Sequence, residues 1–357
     1  MGWTVTAAAD FARHAEAWDA VNAVGGHPLL LASRFVRRLL EAFGTGKERL
    51  AIHQRGGTVT AMTLLAKGGR ASWQTFYPPQ APLGLWVQRP EENLADLLGG
   101  LVPALPGVGL LVSLLQQDPD ARPRPDGVAR VVTRDSFDTG RVTVTGTWDE
   151  YWKARGKNLR HNLKRQQNLL GRDGTTAHLD ILTAPEQMAE AVRDYGALES
   201  AGWKGKDGSA VHEDNAQGKF YRAMLEEFAR AGQARAYRYR FGDRVVAVDL
   251  CLVAGREMVN LKTTYDETVK HVSPALLLRH DYFRSVFEEG VVGRIEFFGP
   301  LMDWHTKWTE EVRRLYHVNA YRWGWLRRAH EWWKRPKPAS EPTPEPSRAP
   351  SELQRAE

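Results

Sequence analysis

The sequence predicts an α+β protein built as two lobes of similar plan, each a mixed, mainly antiparallel sheet flanked by helices. Three observations carry this expectation. Two regions repeat one order of signals: helices, a three-strand meander, a helix and a strand. Within each meander the strand-like runs are separated by short glycine-containing links. A stretch rich in Pro, Asp and Arg, Gln117 to Gly127, lies between the repeats. At 357 residues the chain exceeds one ordinary domain. The expected organisation is a first lobe over 1–127, a second over 128–333 and a tail over 334–357.

In the first lobe, helical patterns over Asp10–Asn22 and Ser33–Phe43 precede strands at Leu50–Arg55, Thr58–Ala66 and Arg70–Phe76. Gly56-Gly57 and Lys67-Gly68-Gly69 separate these strands, because glycine accepts the positive φ that tight hairpins need. A helix near Glu91–Leu101 closes the repeat. Strands near Val128–Thr133 and Arg141–Thr145 lead into the second lobe. Tyr151–Leu170 reads as a helix with Leu159, Leu163 and Leu170 on one stripe and Lys153, Lys157, Arg160 and Lys164 beside it. Helices at Pro185–Ala201 and Gln217–Ala231 then precede strands Ala234–Arg240, Arg244–Val253 and Glu257–Thr264. Ser273 reads as an N-cap and Pro274 as the first residue of a helix that Gly290 stops. Strand Arg294–Phe298 follows. The tail, with six prolines after Lys334 and few apolar residues, reads as disordered.

Composition narrows the class. Hydrophobic residues at 42% and charged residues at 26% fit a globular protein. No uncharged apolar run approaches the ~20 residues that span a bilayer, and Met1-Gly2-Trp3-Thr4-Val5 lacks a secretory start. A cytoplasmic location is the expectation. The single cysteine, Cys251, excludes an intramolecular disulfide and a cysteine-rich zinc site. It lies in the apolar run Val248–Val253 and reads as a core thiol. Net charge is +6, yet Tyr151–Arg172 carries seven basic residues and no acid, so the rest of the chain sums to −1. That patch attracts polyanions, but lacks the interleaved aromatics of a single-strand nucleic-acid binder.

The sharpest chemical signal is the helix that opens at Pro274 just beyond a strand end. Its orphan N–H groups and positive dipole end suit a phosphate or pyrophosphate, and Lys270 and His271 add positive charge.

From Trp148 to about Trp323 the order of features resembles the acyltransferase domain of the GNAT superfamily. The branch it resembles comprises acetyltransferases of cellulose and exopolysaccharide synthesis, relatives of the Fem-type peptidyltransferases. The carrying residues are Trp148-Asp149-Glu150-Tyr151-Trp152, Leu159 to Arg165, Trp203-Lys204, Phe241-Gly242-Asp243, Tyr265-Asp266, Ser273 to Leu277, Phe297-Phe298-Gly299 and Lys307-Trp308. Two departures stand out: the Gln/Arg-x-x-Gly-x-Gly/Ala loop is absent, and Ala275 stands where the branch usually has Gly.

The resemblance implies two GNAT-like lobes, the second holding acetyl-CoA or another acyl-CoA as co-substrate, without a metal. Strands Glu257–Thr264 and Arg294–Phe298 would splay around the pantetheine arm. Lys262, Thr263 and Thr264 would lie by the thioester, and Ser273, Pro274, Ala275 and Leu276 by the pyrophosphate. Acyl transfer also needs a base, an oxyanion donor and an acid for the leaving group. Asp249, Asp303 and His305 are the base candidates, and Tyr265 the acid or oxyanion donor. Trp203, Lys204, Lys307 and Trp308 are candidates for substrate contact. Arg160 and Lys164 form either a solvated face or a site for CoA phosphate, an anionic acceptor or tRNA.

The function expected is acyl-CoA-dependent N- or O-acyl transfer to an amine or hydroxyl of a small-molecule, glycan or lipid-linked acceptor, in envelope or exopolysaccharide synthesis. The alternatives are a Fem-type transferase using aminoacyl-tRNA and a non-catalytic GNAT-like binding module. The Trp/Arg-rich segment 321–335 reads either as a last strand and helix or as a peripheral membrane contact.

Overall fold

Both expected meanders form, and they do so where the glycine links permit tight reversals. In the computed structural model, which describes residues 2–25, 29–202, 205 and 208–333, strands β2 (Arg49–Arg55), β3 (Thr58–Gly69) and β4 (Ser72–Thr75) form the first. Gly56 and Gly57 both take positive φ, 56° and 81°, at its first turn. An added edge strand, β1 (Gly2–Ala7), pairs antiparallel with β2. Helices α1 (Ala15–Gly25) and α2 (Ser33–Phe43) lie between β1 and β2, and a 3₁₀ turn over Ala8–His14 replaces the start of the first expected helix. Strand β5 (Trp86–Gln88) pairs with β3, α3 (Leu94–Ala104) follows, and β6 (Leu111–Gln117) runs parallel to β4.

The second half repeats this plan. Helices α4 (Trp148–Ala154) and α5 (Lys157–Arg172) lead to β8 (Ala177–Leu182), α6 (Pro185–Ala201) and α7 (Ala216–Arg230). Strands β9 (Ala234–Phe241), β10 (Arg244–Ala254) and β11 (Glu257–Tyr265) form the meander. Helix α8 (Pro274–Glu289), ended by Gly290 in the left-handed region, returns the chain to β12 (Arg294–Glu296), parallel to β11. A short α9 (Asp303–Thr306), β13 (Val312–Tyr321) and α10 (Gly324–Trp333) finish the described chain.

The halves exchange their closing strands. Where two short strands were expected at 128–145, one long strand, β7 (Val131–Thr143), forms. It pairs with β12 and with β13, and β13 in turn pairs with β6, so the order β6-β13-β7-β12 joins both halves in one sheet. The polar centre of β7 is sustained by partners distant in sequence. Arg314 holds Asp138 at 2.6 Å and Asp135 at 3.2 Å, and Ser136 donates to Gln116. A shared apolar core also spans the halves: Phe35 of α2 meets Phe220 and Phe228 of α7 edge-on, while Arg38 pairs with Glu227 at 2.7 Å.

Two further expectations are corrected. The helix over Tyr151–Leu170 is broken at Arg155 and Gly156, which are both extended (ψ 154° and 139°). Thr147 and Glu150 start α4 as a reciprocal capping box, and the predicted leucines are buried along α5. Ser273 does not cap α8 with its side chain; it sits in the left-handed region (φ 50°, ψ 58°). A residue before proline is disfavoured in the right-handed helical region, and here Ser273 also ends the 3₁₀ turn Glu267–Val272, donating its N–H to Lys270.

Candidate active site at the splay of two parallel strands

Strand β11 pairs with β12 over only three residues, Glu257–Val259 against Arg294–Glu296. Beyond them β11 continues to Tyr265 with β10 on one side. The register with β10 slips between Leu250 and Cys251, making Leu261 an extra, bulged residue. A bulge bends its strand and disrupts the ladder, so β11 turns away from β12 where the two part.

A cavity of about 1080 Å³ opens beside the free end of β11. Thr263, Thr264 and Tyr265 line it from β11; Ser273, Ala275, Leu276 and Arg279 from α8; and Leu198 and Glu199 from α6. Arg155, Gly156, Asn158 and Asn162 close it from the α4–α5 break, and Trp304, Lys307 and Trp308 from the α9 region. Two helices therefore present their first turns to one cavity. Neither α5 nor α8 has a capping side chain or an acid in its first turn, which leaves both positive ends available to an anion.

Arg279 organises the wall. Its side chain is 4% exposed, 3.5 Å from Asp249. It donates to the Thr263 hydroxyl at 3.1 Å and lies 3.8 Å from the centre of the Trp304 ring. One guanidinium thus ties the core of β10 to the cavity edge of β11 and to α9. On the opposite side, buried Glu199 accepts from the Tyr195 hydroxyl at 2.8 Å and from the Val211 amide at 2.7 Å. The α4–α5 break is pinned to the other rim, where the Trp308 carbonyl accepts from the Tyr151 hydroxyl at 2.6 Å and from Arg155 at 2.8 Å.

Of the residues singled out by sequence, the cavity gathers Thr263, Thr264, Tyr265, Ser273, Ala275, Leu276, Lys307 and Trp308. Pro274 is buried at the helix start, and Lys262 lies behind the wall with its ammonium 5.5 Å from the Tyr221 ring centre. Arg160 and Lys164 are exposed on α5 outside the wall. Trp203 and Lys204 lie outside the described residues, as does the tail.

The three base candidates are off the wall. Asp249 is fully buried and accepts from Asn260 at 2.6 Å. Asp303 is exposed on α9. His305 is buried with Nδ1 accepting the Met302 amide, and burial followed by the charge of Arg279 lowers its pKa to about 4. Sequence reasoning missed Arg155, Arg279, Glu199 and Trp304. Arg279 carried one available signal, a charge at i+4 from Ala275 on the cavity side of α8. Among the described residues, no group of three or more His, Cys, Asp or Glu is arranged to hold a metal ion.

The first half closes its own splay. Strands β4 and β6 also run parallel for three residues and then part, but the chain at Ala81–Leu85 occupies the space. Gly84 donates to the Gln116 carbonyl at 3.2 Å, and a Cβ there would meet the Leu115 oxygen at 1.9 Å.

Comparison with known proteins agrees with this geometry. Residues 157–308 match the family model described as an acetyltransferase (GNAT) domain. Curated proteins yielded no match. Among solved structures, the C-terminal domain of a suspected lysylphosphatidylglycerol synthetase from Agrobacterium fabrum aligns with TM-score 0.55 at 15% identity, over 87% of this chain and 92% of that one. A conserved protein of unknown function from Bacteroides thetaiotaomicron gives 0.53 at 11%, over 89% and 98%. FemX gives 0.52 at 10%, over 90% and 98%. These similarities concern the fold. Together with the matched domain and the splayed strands, they give the second half of this chain the fold of a GNAT acyltransferase domain.

Proposed function

We propose that the second-half cavity takes an acyl thioester of coenzyme A and supports transfer of its acyl group to an amine or hydroxyl. The observation that carries this is the unpaired edge of β11 at Thr263–Tyr265, continuous with the uncapped first turn of α8 in one cavity. The residues present fit such a ligand. The strand edge can receive an extended amide-bearing arm as a further strand pairs, and the first turn of α8, which lines the cavity at Ser273, Ala275 and Leu276, is where a diphosphate is favoured. Arg155 and Lys307 add positive charge on the rim. When bound, the thioester supplies an activated carbonyl. Of the three wall carboxylates, Glu199, Glu267 and Glu310, buried Glu199 is our choice to take the acceptor's proton as the acceptor bonds to the carbonyl carbon and the C–S bond breaks. Tyr265 is the wall phenol able to protonate the departing thiolate. The bulge at Leu261 directs β11 into the cavity.

Isothermal titration of the purified chain with acetyl-CoA and longer acyl-CoAs tests the reading, alongside native mass spectrometry for a co-purified nucleotide thioester. Saturable one-to-one binding, weakened by substitution at Ala275, is expected. Absence of binding at millimolar ligand would overturn it and favour a binding module without catalysis.

A second reading takes aminoacyl-tRNA as donor. It is favoured by the exposed Lys157, Arg160, Lys164 and Arg165 on α5 beside the mouth, and by the fold shared with FemX. Steeply salt-dependent tRNA binding with no acyl-CoA binding would establish it in place of the first.

A further inference from the structure

A second concentration of unusual surface lies around α10, the last described helix. Trp323, Trp325 and Trp332 are 45%, 61% and 72% exposed, and Val108 is 66% exposed. These side chains belong to one end of the sheet. The Arg322 amide donates to the Leu110 carbonyl at 2.9 Å, which sets the turn carrying Val108 beside the start of α10. Arg327 reaches the Ala129 carbonyl at 3.3 Å and ties α10 to the beginning of β7. The Trp323 and Trp325 rings stack nearly parallel, 5.9 Å apart, and Arg322 lies 5.3 Å from the Trp323 ring centre. Over residues 321–337 the sequence holds Arg322, Arg327, Arg328, Lys334, Arg335 and Lys337 against one acid, Glu331.

We propose that this end of the molecule, α10 with the adjoining Val108 turn, docks on the surface of a bilayer containing anionic lipid. Indole rings partition to the headgroup layer because they are broad, apolar and carry one polar N–H. An exposed helix with tryptophans and arginines lies in that layer with its apolar side down. Durable attachment of a peripheral protein takes two signals, and this end of the molecule offers both: exposed indoles for insertion, and Arg322, Arg327 and Arg328 for anionic headgroups, with further basic residues following in the sequence. The charge pattern selects the occupant. A second copy of this chain, meeting the patch by a two-fold axis, would set Arg322, Arg327 and Arg328 against themselves. Anionic lipid meets them with opposite charge. The inference does not depend on the acyl donor.

The test uses the full chain in flotation with phosphatidylcholine vesicles made with and without phosphatidylglycerol. Binding is expected only with the anionic lipid, reduced at high salt, with a blue shift of tryptophan emission and quenching by brominated acyl chains. Combined replacement Trp323→Ser, Trp325→Ser and Trp332→Ser is expected to weaken binding roughly tenfold or more. A separate Arg328→Gln variant, at an exposed position, leaves the aromatics and the Arg327 tether in place and is expected to lose affinity for anionic vesicles alone. Absence of flotation with phosphatidylglycerol, equal binding to neutral vesicles, or binding indifferent to both variants would overturn the proposal. A dimer seen by light scattering that the tryptophan variant dissolves, without vesicle binding, would replace it with self-association.

Discussion

Replacing Arg279 with Met should destabilise the second half far more than removal of one surface charge. Asp249 is fully buried and its carboxylate lies 3.5 Å from the guanidinium. At that separation two unit charges attract by about 5 kcal/mol for an effective dielectric near ~20. Breaking a buried pair by deleting one partner costs about 3–5 kcal/mol, because the survivor keeps its desolvation penalty. Met preserves length and can still pack on Trp304, so the loss reports chiefly the stranded Asp249. The double variant Asp249→Asn, Arg279→Met removes both charges, leaves Asn260 a neutral partner, and should recover about half of that loss or more. Urea denaturation of the four proteins, followed by tryptophan emission, gives the cycle. A loss under about 1 kcal/mol for Arg279→Met, or strictly additive single effects, would refute the coupling.

Four other outcomes are expected. Glu199→Gln should lower turnover about a hundredfold or more and abolish the acidic limb of the pH–rate profile, while donor affinity measured by titration stays the same. Ala275→Asp should leave the melting temperature unchanged or slightly higher, since an acid in the first turn favours the helix, yet weaken acyl-CoA binding about tenfold by repelling its phosphates; a folded variant with undiminished affinity would contradict the site. His305, with pKa lowered to about 4, binds its proton more weakly folded than unfolded. Its contribution is therefore present above pH ~6.5 and is lost as pH falls toward ~4, by roughly 2 kcal/mol. His305→Gln should flatten that part of the stability curve. Gly84→Ala should cost about 3 kcal/mol or more in denaturation experiments, because the added Cβ collides with the backbone oxygen of Leu115.

Local grammar made much of this molecule legible. Helices Ser33–Phe43, Pro185–Ala201 and Pro274–Glu289 were readable to the residue because periodicity, an opening proline or a terminal glycine marked them. The meanders were readable from their glycine turns. Strand β7 was not, since Asp135, Ser136 and Asp138 look like a loop until Arg314 and Gln116 arrive from elsewhere in the chain. In the site, the start of α8 and the end of β11 were visible as sequence. Arg279 and Glu199 were hidden because a charged residue on a helix reads as solvent-facing unless the fold places Asp249 or the Tyr195 hydroxyl against it. Asp249, a base candidate by sequence, is the buried partner of that arginine.

The exchange of β7 and β13 has a consequence for how the protein comes into being on the ribosome. Residues up to Gln117 supply every strand of the first half's sheet except the one that lies against β6, and that strand begins at Val312. The nascent first half must wait, with one sheet edge uncovered, for almost two hundred further residues to emerge. During that interval it presents unpaired backbone to other nascent chains. Synthesis of fragments ending before Val312 should therefore yield a first half that aggregates, and the two halves should melt as one unit in the whole chain.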